Sequence, residues 1–302
     1  MSAITSLTVS EAAALPSAGN ALVCGDVGRL LDLLPAEPIF DLVVTSPPYN
    51  LGKSYESKME LEQYFLWQES IIKKIFPRLK DTGSICWQVG NYVDHGAIFP
   101  LDFGFAPIFS ELSLKLRNRI VWRYGHGLHC KKRFSGRYEV ILWYTKTDRY
   151  TFNLDEVRIP AKYPEKRHFR GEKKGQLSGN PLGKNPEDVW DIPNVKANHV
   201  EKTEHPCQFP VSLAERLILA LTDEGQLVFD PFCGVASSGV AALLHNRVFW
   251  GCELLPKYVE IGQERLEETL AGTIQYRPLN KPIFVPPTSK LSGVPSGIKQ
   301  DG

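Results

Sequence analysis

The sequence predicts an α/β fold built on a mainly parallel, doubly wound sheet that one long irregular segment interrupts. Three observations predict it. Short apolar runs of the kind that fill buried parallel strands recur along the chain. Segments with three- and four-residue apolar spacing separate them. From about residue 149 to residue 204 that alternation stops, and afterwards it resumes. Alternating strands and helices imply a parallel sheet with helices packed on it.

The elements follow in order. Residues 1–20 are small and polar and read as a loosely held leader. Ala21–Cys24 and Phe40–Thr45 (FDLVVT) are the first strands. Between Glu60 and Leu79, residues Leu61, Tyr64, Phe65, Ile71, Ile72, Ile75, Phe76 and Leu79 mark one face of a helix. Ser84–Val89 (SICWQV) is a strand stopped by Gly90-Asn91, and Arg119–Tyr124 and Tyr138–Thr145 (YEVILWYT) are two more. Pro, Gly, Lys, Arg and Asn then dominate to Glu204. Val211–Leu221 is helical, Gln226–Asp230 (QLVFD) a strand, and Ala236–His245 a helix of small residues. Val248–Gly251 is a strand, and Pro256–Leu270 a helix with Pro in its first turn. The tail from about Pro278 is rich in Pro, Ser and Gly and is expected to be flexible. The predicted organisation is a leader (1–20), a first half-domain (21–148), an insertion (149–204), a second half-domain (205–275) and a tail (276–302).

Composition narrows the setting. The chain has 302 residues, 43% hydrophobic and 23% charged, which allows one large domain plus an insertion. Formal net charge is +1, so global charge is silent about partners. The six cysteines (Cys24, Cys86, Cys130, Cys207, Cys233, Cys252) have neither CxxC spacing nor a Cys/His cluster of zinc type. No metal is therefore expected, and a reducing compartment is. The N-terminal segment lacks the basic start of a signal peptide, and no apolar run is long enough to span a bilayer. The expectation is a cytoplasmic protein without membrane contact.

Two segments carry chemistry. Thr45-Ser46-Pro47-Pro48-Tyr49-Asn50 directly follows the strand FDLVV. Two prolines make a stiff turn without N–H groups, which leaves carbonyls free to accept. Such a turn at the carboxyl end of a strand lies where open α/β sheets bind ligands. It offers what a flipped-out base needs: acceptors for the amino hydrogens, from Ser46 and the Pro47 carbonyl, and a flat ring, Tyr49. A plain proline-rich turn would carry the same letters. The second segment is Asp230-Pro231-Phe232-Cys233-Gly234-Val235-Ala236-Ser237-Ser238-Gly239, after the strand QLVF. A glycine turn from strand to helix admits a ligand close to the backbone. Glu253 ends the next strand, where a carboxylate of a Rossmann-like unit meets ribose hydroxyls. A dehydrogenase turn would need GxGxxG, which is absent.

In this order the motifs resemble those of the N4-cytosine/N6-adenine DNA methyltransferase family, in its permuted beta group. DPFCGVASSG resembles the family's DPFxGSGTT cofactor loop and TSPPYN its catalytic loop. Cys24-Gly25-Asp26 resembles the GD placed near the cofactor adenine. His205-Pro206-Cys207-Gln208-Phe209-Pro210 resembles HPTQKP, beside the methionine end. The likeness covers about residues 21–150 and 205–270. It implies a Rossmann-like methyltransferase fold that uses S-adenosyl-L-methionine. It assigns Ser46, Pro47, Pro48 and Tyr49 to catalysis, and Asp26, Asn50, Gln208, Asp230, Phe232, Gly234, Ser237 and Glu253 to the cofactor. Residues 21–148 become the catalytic half and 205–275 the cofactor half. Val235-Ala236 departs from the family's Ser-Gly; alanine disfavours positive φ, so a changed turn and weaker cofactor binding are expected. Cys207 and Phe209 depart from Thr and Lys, which puts a methionine-carboxylate contact from that loop in question. Pro206-Cys207-Gln208 also resembles the PCQ loop of cytosine-C5 methyltransferases, but there the cofactor loop precedes PCQ, whereas here it follows.

Charge supports a nucleic-acid partner. From Lys115 to Gly175 there are 17 Lys/Arg and six Asp/Glu, an excess of 11 positive charges in a chain whose total is +1. A basic stretch in an otherwise acidic chain is the footprint of a phosphate-binding face. Lys131, Lys132, Arg133, Arg167, Arg170, Lys173 and Lys174 are its candidate DNA contacts, and residues 149–204 the candidate target-recognition region. Double-stranded DNA is the expected partner. The resemblance adds a cognate restriction endonuclease in the same system and a monomer or homodimer. Within the family SPPY goes more often with cytosine N4, and DPPY or NPPY with adenine N6. RNA or a protein amide as substrate, and a binding module with a decayed catalytic fold, stay open at this point.

Overall fold

The computed structural model describes residues 3–15, 19–50, 52, 58–127 and 129–283. A nine-stranded sheet organises them. In chain order its strands are β1 (Ile4–Thr8), β2 (Asn20–Cys24), β3 (Phe40–Thr45), β4 (Leu79–Val89), β7 (Lys115–Arg123), β8 (Tyr138–Thr145), β9 (Val189–Asp191), β10 (Leu227–Asp230) and β11 (Val248–Glu253). The remaining strands, β5 (Asn91–Asp94) and β6 (Ala97–Pro100), form a separate exposed hairpin. The spatial order is β1-β2-β11-β10-β3-β4-β8-β7-β9. Every neighbouring pair is parallel except β4–β8 and β8–β7.

The helices are α1 (Val27–Leu33), α2 (Leu61–Ile75), α3 (Leu101–Glu111), α4 (Val211–Leu221), α5 (Ser237–Leu244) and α6 (Pro256–Ala271). They form two layers because the strands alternate what they present. Val228, Leu42 and Val44 join the core under α4, α5 and α6. Phe229, Phe40, Val43 and Trp87 join the core under α1, α2 and α3. Phe40 and Phe229 stack at 4.4 Å across the β3–β10 pair. β10 and β3 are neighbours whose onward connections leave in opposite directions, β10 toward β11 and β3 toward β4. The crevice beyond their carboxyl ends is a topological switch point, where ligands of such sheets bind.

The structure corrects the reading of residues 1–20 as a loosely held leader. Ile4–Thr8 pairs in parallel with β2, from Ile4 opposite Asn20 to Thr8 opposite Cys24. The following 3-10 turn, Val9–Ala14, is capped by Glu11, whose carboxylate accepts from Thr8 N at 2.8 Å. The insertion is also narrower than residues 149–204. Phe152 stacks on Trp143 at 5.5 Å, Val157 is buried, and β9 adds to the sheet edge beside β7. The excursion proper is 159–184, closed at its base by the bridge Ile159–Lys184. In the tail, Arg277 N donates to the buried Glu201 at 3.0 Å; residues 284–302 lie outside the described residues. Among the described residues, no helix is long and apolar enough to cross a membrane.

Candidate active site

The two motif-bearing turns meet because Asp230 ties them. This last residue of β10 is fully buried. Its Oδ1 accepts from Thr45 Oγ1 at 2.6 Å and from Phe232 N at 3.1 Å, and its Oδ2 accepts from Ser238 Oγ at 2.5 Å. One carboxylate thus fastens the end of β3, the proximal turn and the first residues of α5. Burial outweighs these bonds and raises its pKa to about 6.

Beyond Asp230 the chain turns through Gly234 at φ +52° and Ala236 at φ +57°. The sequence made alanine an obstacle to this turn, yet the turn is made, with Ala236 itself left-handed. That conformation costs an alanine roughly 1–2 kcal/mol. The buried Arg265 guanidinium donates to the Val235 carbonyl and lies 3.3 Å from Ser237 Oγ, bracing the strained segment from behind. Gly234 N donates to Glu253 Oε2 at 3.1 Å, and Leu255 N to Oε1 at 2.8 Å. Burial pushes the Glu253 carboxyl above its ordinary range. Each carboxylate oxygen has two lone pairs, so Glu253 keeps acceptor capacity after both backbone bonds.

A cavity of about 760 Å³ opens over both turns. Ser46, Pro47, Pro48 and Tyr49 line it, as do Asp26, Asn50, Gln208, Phe232, Gly234 and Glu253. The other two assigned cofactor residues, Asp230 and Ser237, do not. Both are buried behind the turn and build it, because their polar atoms are engaged by Thr45, Phe232, Ser238 and Arg265. Three lining residues also have structural duties. The Asp26 carboxylate caps α1 by accepting from Arg29 N at 2.9 Å. The Asn50 side chain exchanges two 2.7 Å bonds with the Met59 backbone. The Gln208 amide is taken by Thr203 and by the Glu201 carbonyl. Lys131, Lys132, Arg133, Arg167, Arg170, Lys173 and Lys174 are all exposed. The first three sit on the loop between β7 and β8, whose roots Tyr124 and Glu139 line the cavity. The other four sit on the 159–184 excursion, which bonds mostly to itself and is also held by Arg158 donating to the Gly183 carbonyl at 3.1 Å.

The residue that sequence reasoning missed is Glu139, at the start of β8. Its Oε2 accepts from Tyr49 Oη at 3.1 Å and from Gln88 Nε2 at 2.5 Å, and its Oε1 from Tyr124 Oη at 3.4 Å. Burial holds its carboxyl, and the Tyr49 hydroxyl, above their ordinary ranges. Ser46 Oγ lies 3.1 Å from Tyr49 Oη. An ionised carboxylate can only accept, so Tyr49 spends its proton on Glu139. Ser46 then donates to Tyr49, and its lone pairs remain for the cavity. Gly90 makes room for this row: a Cβ there would come within 3.0 Å of the Tyr49 ring. Tyr64 Oη donates to the Pro48 carbonyl at 2.8 Å and steadies the proline turn.

His205 stands over the glycine turn, with its ring 4.5 Å from that of Tyr258. A Cβ on Gly234 would approach its Nε2 to 3.4 Å. Burial pushes the imidazole pKa down to about 4, so it is neutral at pH 7. Cys207 is exposed on the cavity rim.

A family model described as DNA methylase matches residues 40–264. The chain is 49% identical over 248 residues to the type II methyltransferase M.BglII of Bacillus subtilis, covering 82% of this chain and 69% of that protein. It is 32% identical over 251 residues to the DNA adenine methyltransferase YhdJ of Escherichia coli (strain K12), covering 82% of each. The solved structure of the cytosine-N4-specific PvuII DNA methyltransferase superposes with a TM-score of 0.65 over 87% of this chain and 96% of that one. At 23% identity this is a likeness of fold.

Proposed function

From the premise that the chain belongs to the N4-cytosine/N6-adenine DNA methylase family, we propose that it methylates the exocyclic amino group of a flipped-out base in DNA at a specific site, with cytosine N4 as the favoured target. The cofactor is S-adenosyl-L-methionine, which supplies an activated methyl group on a sulfonium sulfur. The residues present suit it. Glu253 retains lone pairs for ribose hydroxyls, Gly234 allows close approach to the turn, and Asp26 and Phe232 border the same cavity.

The observation that carries the reading is the row Ser46–Tyr49–Glu139. An amino nitrogen on a pyrimidine or purine is a weak nucleophile because its lone pair is delocalised into the ring. An acceptor on its hydrogens favours pyramidal nitrogen and releases that pair. Glu139 sets the direction of the row, so Ser46 presents an acceptor rather than a donor. Tyr49 and Tyr124 supply ring surface for positioning the base. A hydroxyl can accept from either amine, so the preference for cytosine N4 rests on the family's more frequent pairing of SPPY with that base. Adenine N6 is the second reading, favoured by the 32% identity to an adenine methyltransferase. Exposed cations on both loops would hold the phosphates.

Methyl-labelled cofactor incubated with duplex DNA tests the assignment: label retained in DNA supports it, and label in RNA or protein but not DNA contradicts it. Two variants test the parts. Glu253→Ala removes a charged acceptor worth roughly 1.5–3 kcal/mol per hydrogen bond, so cofactor affinity should fall about 10- to 100-fold by calorimetry. Unchanged affinity would remove Glu253 from the cofactor site. Cys207→Ser should keep most activity, since Pro206-Cys207-Gln208 precedes the cofactor loop, the reverse of the order in which a PCQ nucleophile stands. Loss of turnover with intact cofactor binding would instead point to thiolate chemistry.

A further inference from the structure

We propose that Phe134 is the wedge that enters the DNA stack and fills the place vacated by the extruded base; this rests on the DNA-methylation reading above. Phe134 is 100% exposed. Among the described residues no ring or cation is seated on it. An apolar ring held fully in water is costly at about 25 cal/mol per Å², which favours a partner surface that arrives with the substrate.

Its position identifies that surface. Phe134 rides on the loop joining β7 to β8, at the same sheet edge as the proline turn. The loop is pinned by Tyr124 N donating to the Arg137 carbonyl at 3.0 Å and by Cys130 N donating to Ser135 Oγ at 3.0 Å. The roots of the loop, Tyr124 and Glu139, are walls of the cavity that takes the base. Lys131, Lys132 and Arg133 immediately precede the ring and are exposed. Cations able to hold the phosphates, an apolar ring and the cavity thus lie together at one end of the sheet. Apolar side chains inserted between base steps are a known way to hold a disrupted stack open. Phe169 of the excursion is less suited, because the Arg170 guanidinium lies 5.5 Å from its ring.

The test compares Phe134→Ala with wild type on two duplexes carrying the site that the wild-type protein methylates. In one the target base is paired; in the other it faces a mismatch. Loss of one aromatic–base stack should lower kcat/KM on the paired duplex roughly 10- to 100-fold. On the mismatched duplex, where extrusion is already eased, activity should stay within about threefold of wild type, and Phe134→Trp should retain both. Calorimetric affinity for S-adenosylmethionine should be unchanged, since Phe134 does not line the cavity that holds Gly234 and Glu253. No loss on the paired duplex, or an equal loss on both, would overturn the wedge and leave DNA methylation standing. A wild-type protein that modifies no DNA would overturn the underlying reading.

Discussion

Replacing Glu139 by alanine is expected to lower kcat by about 100-fold or more while leaving cofactor affinity nearly unchanged, because a reacting group mis-set by about 1 Å can lose that much. The carboxylate bonds neither to the glycine turn after Asp230 nor to Glu253. It accepts from Tyr49, Gln88 and Tyr124, and through Tyr49 it orients Ser46. Without it Tyr49 is free to donate to Ser46 or to the base, and the acceptor row becomes ambiguous. Glu139→Gln keeps the size and one acceptor oxygen but adds a donor, so it should lose roughly tenfold. The pH profile separates orientation from simple packing. Burial raises the Glu139 pKa, and the charged form is the one that orders the row. Wild-type kcat should therefore be lost as pH falls through that raised value, and Glu139→Gln should lack this limb. A Glu139→Ala protein with wild-type kcat would remove the residue from the mechanism.

Asp230→Ala should be the most damaging substitution for the fold of the site. It leaves three donors without their acceptor: Thr45 Oγ1, Ser238 Oγ and Phe232 N. Unsatisfied buried donors cost about 1–3 kcal/mol each, offset in part by the relief of burying a charge. A net loss of about 3 kcal/mol lowers Tm by roughly 5 °C in a chain of 302 residues. Cofactor binding should fail with it, because the turn that carries Gly234 loses its anchor. The pH dependence has a definite sign. The folded pKa of about 6 lies above the ordinary 3.8, so the folded state binds the proton more tightly. This contribution is present below pH 4, is lost as pH rises to about 6, and is on the order of 3 kcal/mol for the fully buried group. Asp230→Asn should retain the fold and flatten that dependence in denaturant titrations at pH 4 and pH 7. An Asp230→Ala protein of wild-type Tm would show that the carboxylate ties nothing.

Much of the sheet was legible because its central strands are buried on both faces and read as unbroken apolar runs: FDLVVT, SICWQV and LVFD. Elements with weaker signatures were missed. β1 is a short, half-buried edge strand in a polar segment. α1 has only seven residues, and α3 is disguised by Gly104 and Pro107. β9 is three residues long and follows a long irregular excursion. The two turns were legible because prolines and glycines mark them. Their polar residues were harder to assign: a motif position cannot tell a side chain that lines the cavity, such as Glu253, from one that builds the turn, such as Asp230 or Ser237. Glu139 carried no local signal. It stands 90 positions from Tyr49, and the antiparallel β4–β8 pairing brings it there, opposite the end of β4.

Nucleoside mass spectrometry of DNA treated with the purified protein and S-adenosylmethionine, run beside Ser46→Ala, tests amino-methylation of a base most directly. N4-methylcytosine is expected with the wild-type protein and little of it with the variant. N6-methyladenine would contradict the reading of Ser46 as a mark of cytosine, and an unmodified digest from diverse DNAs would contradict amino-methylation of DNA altogether.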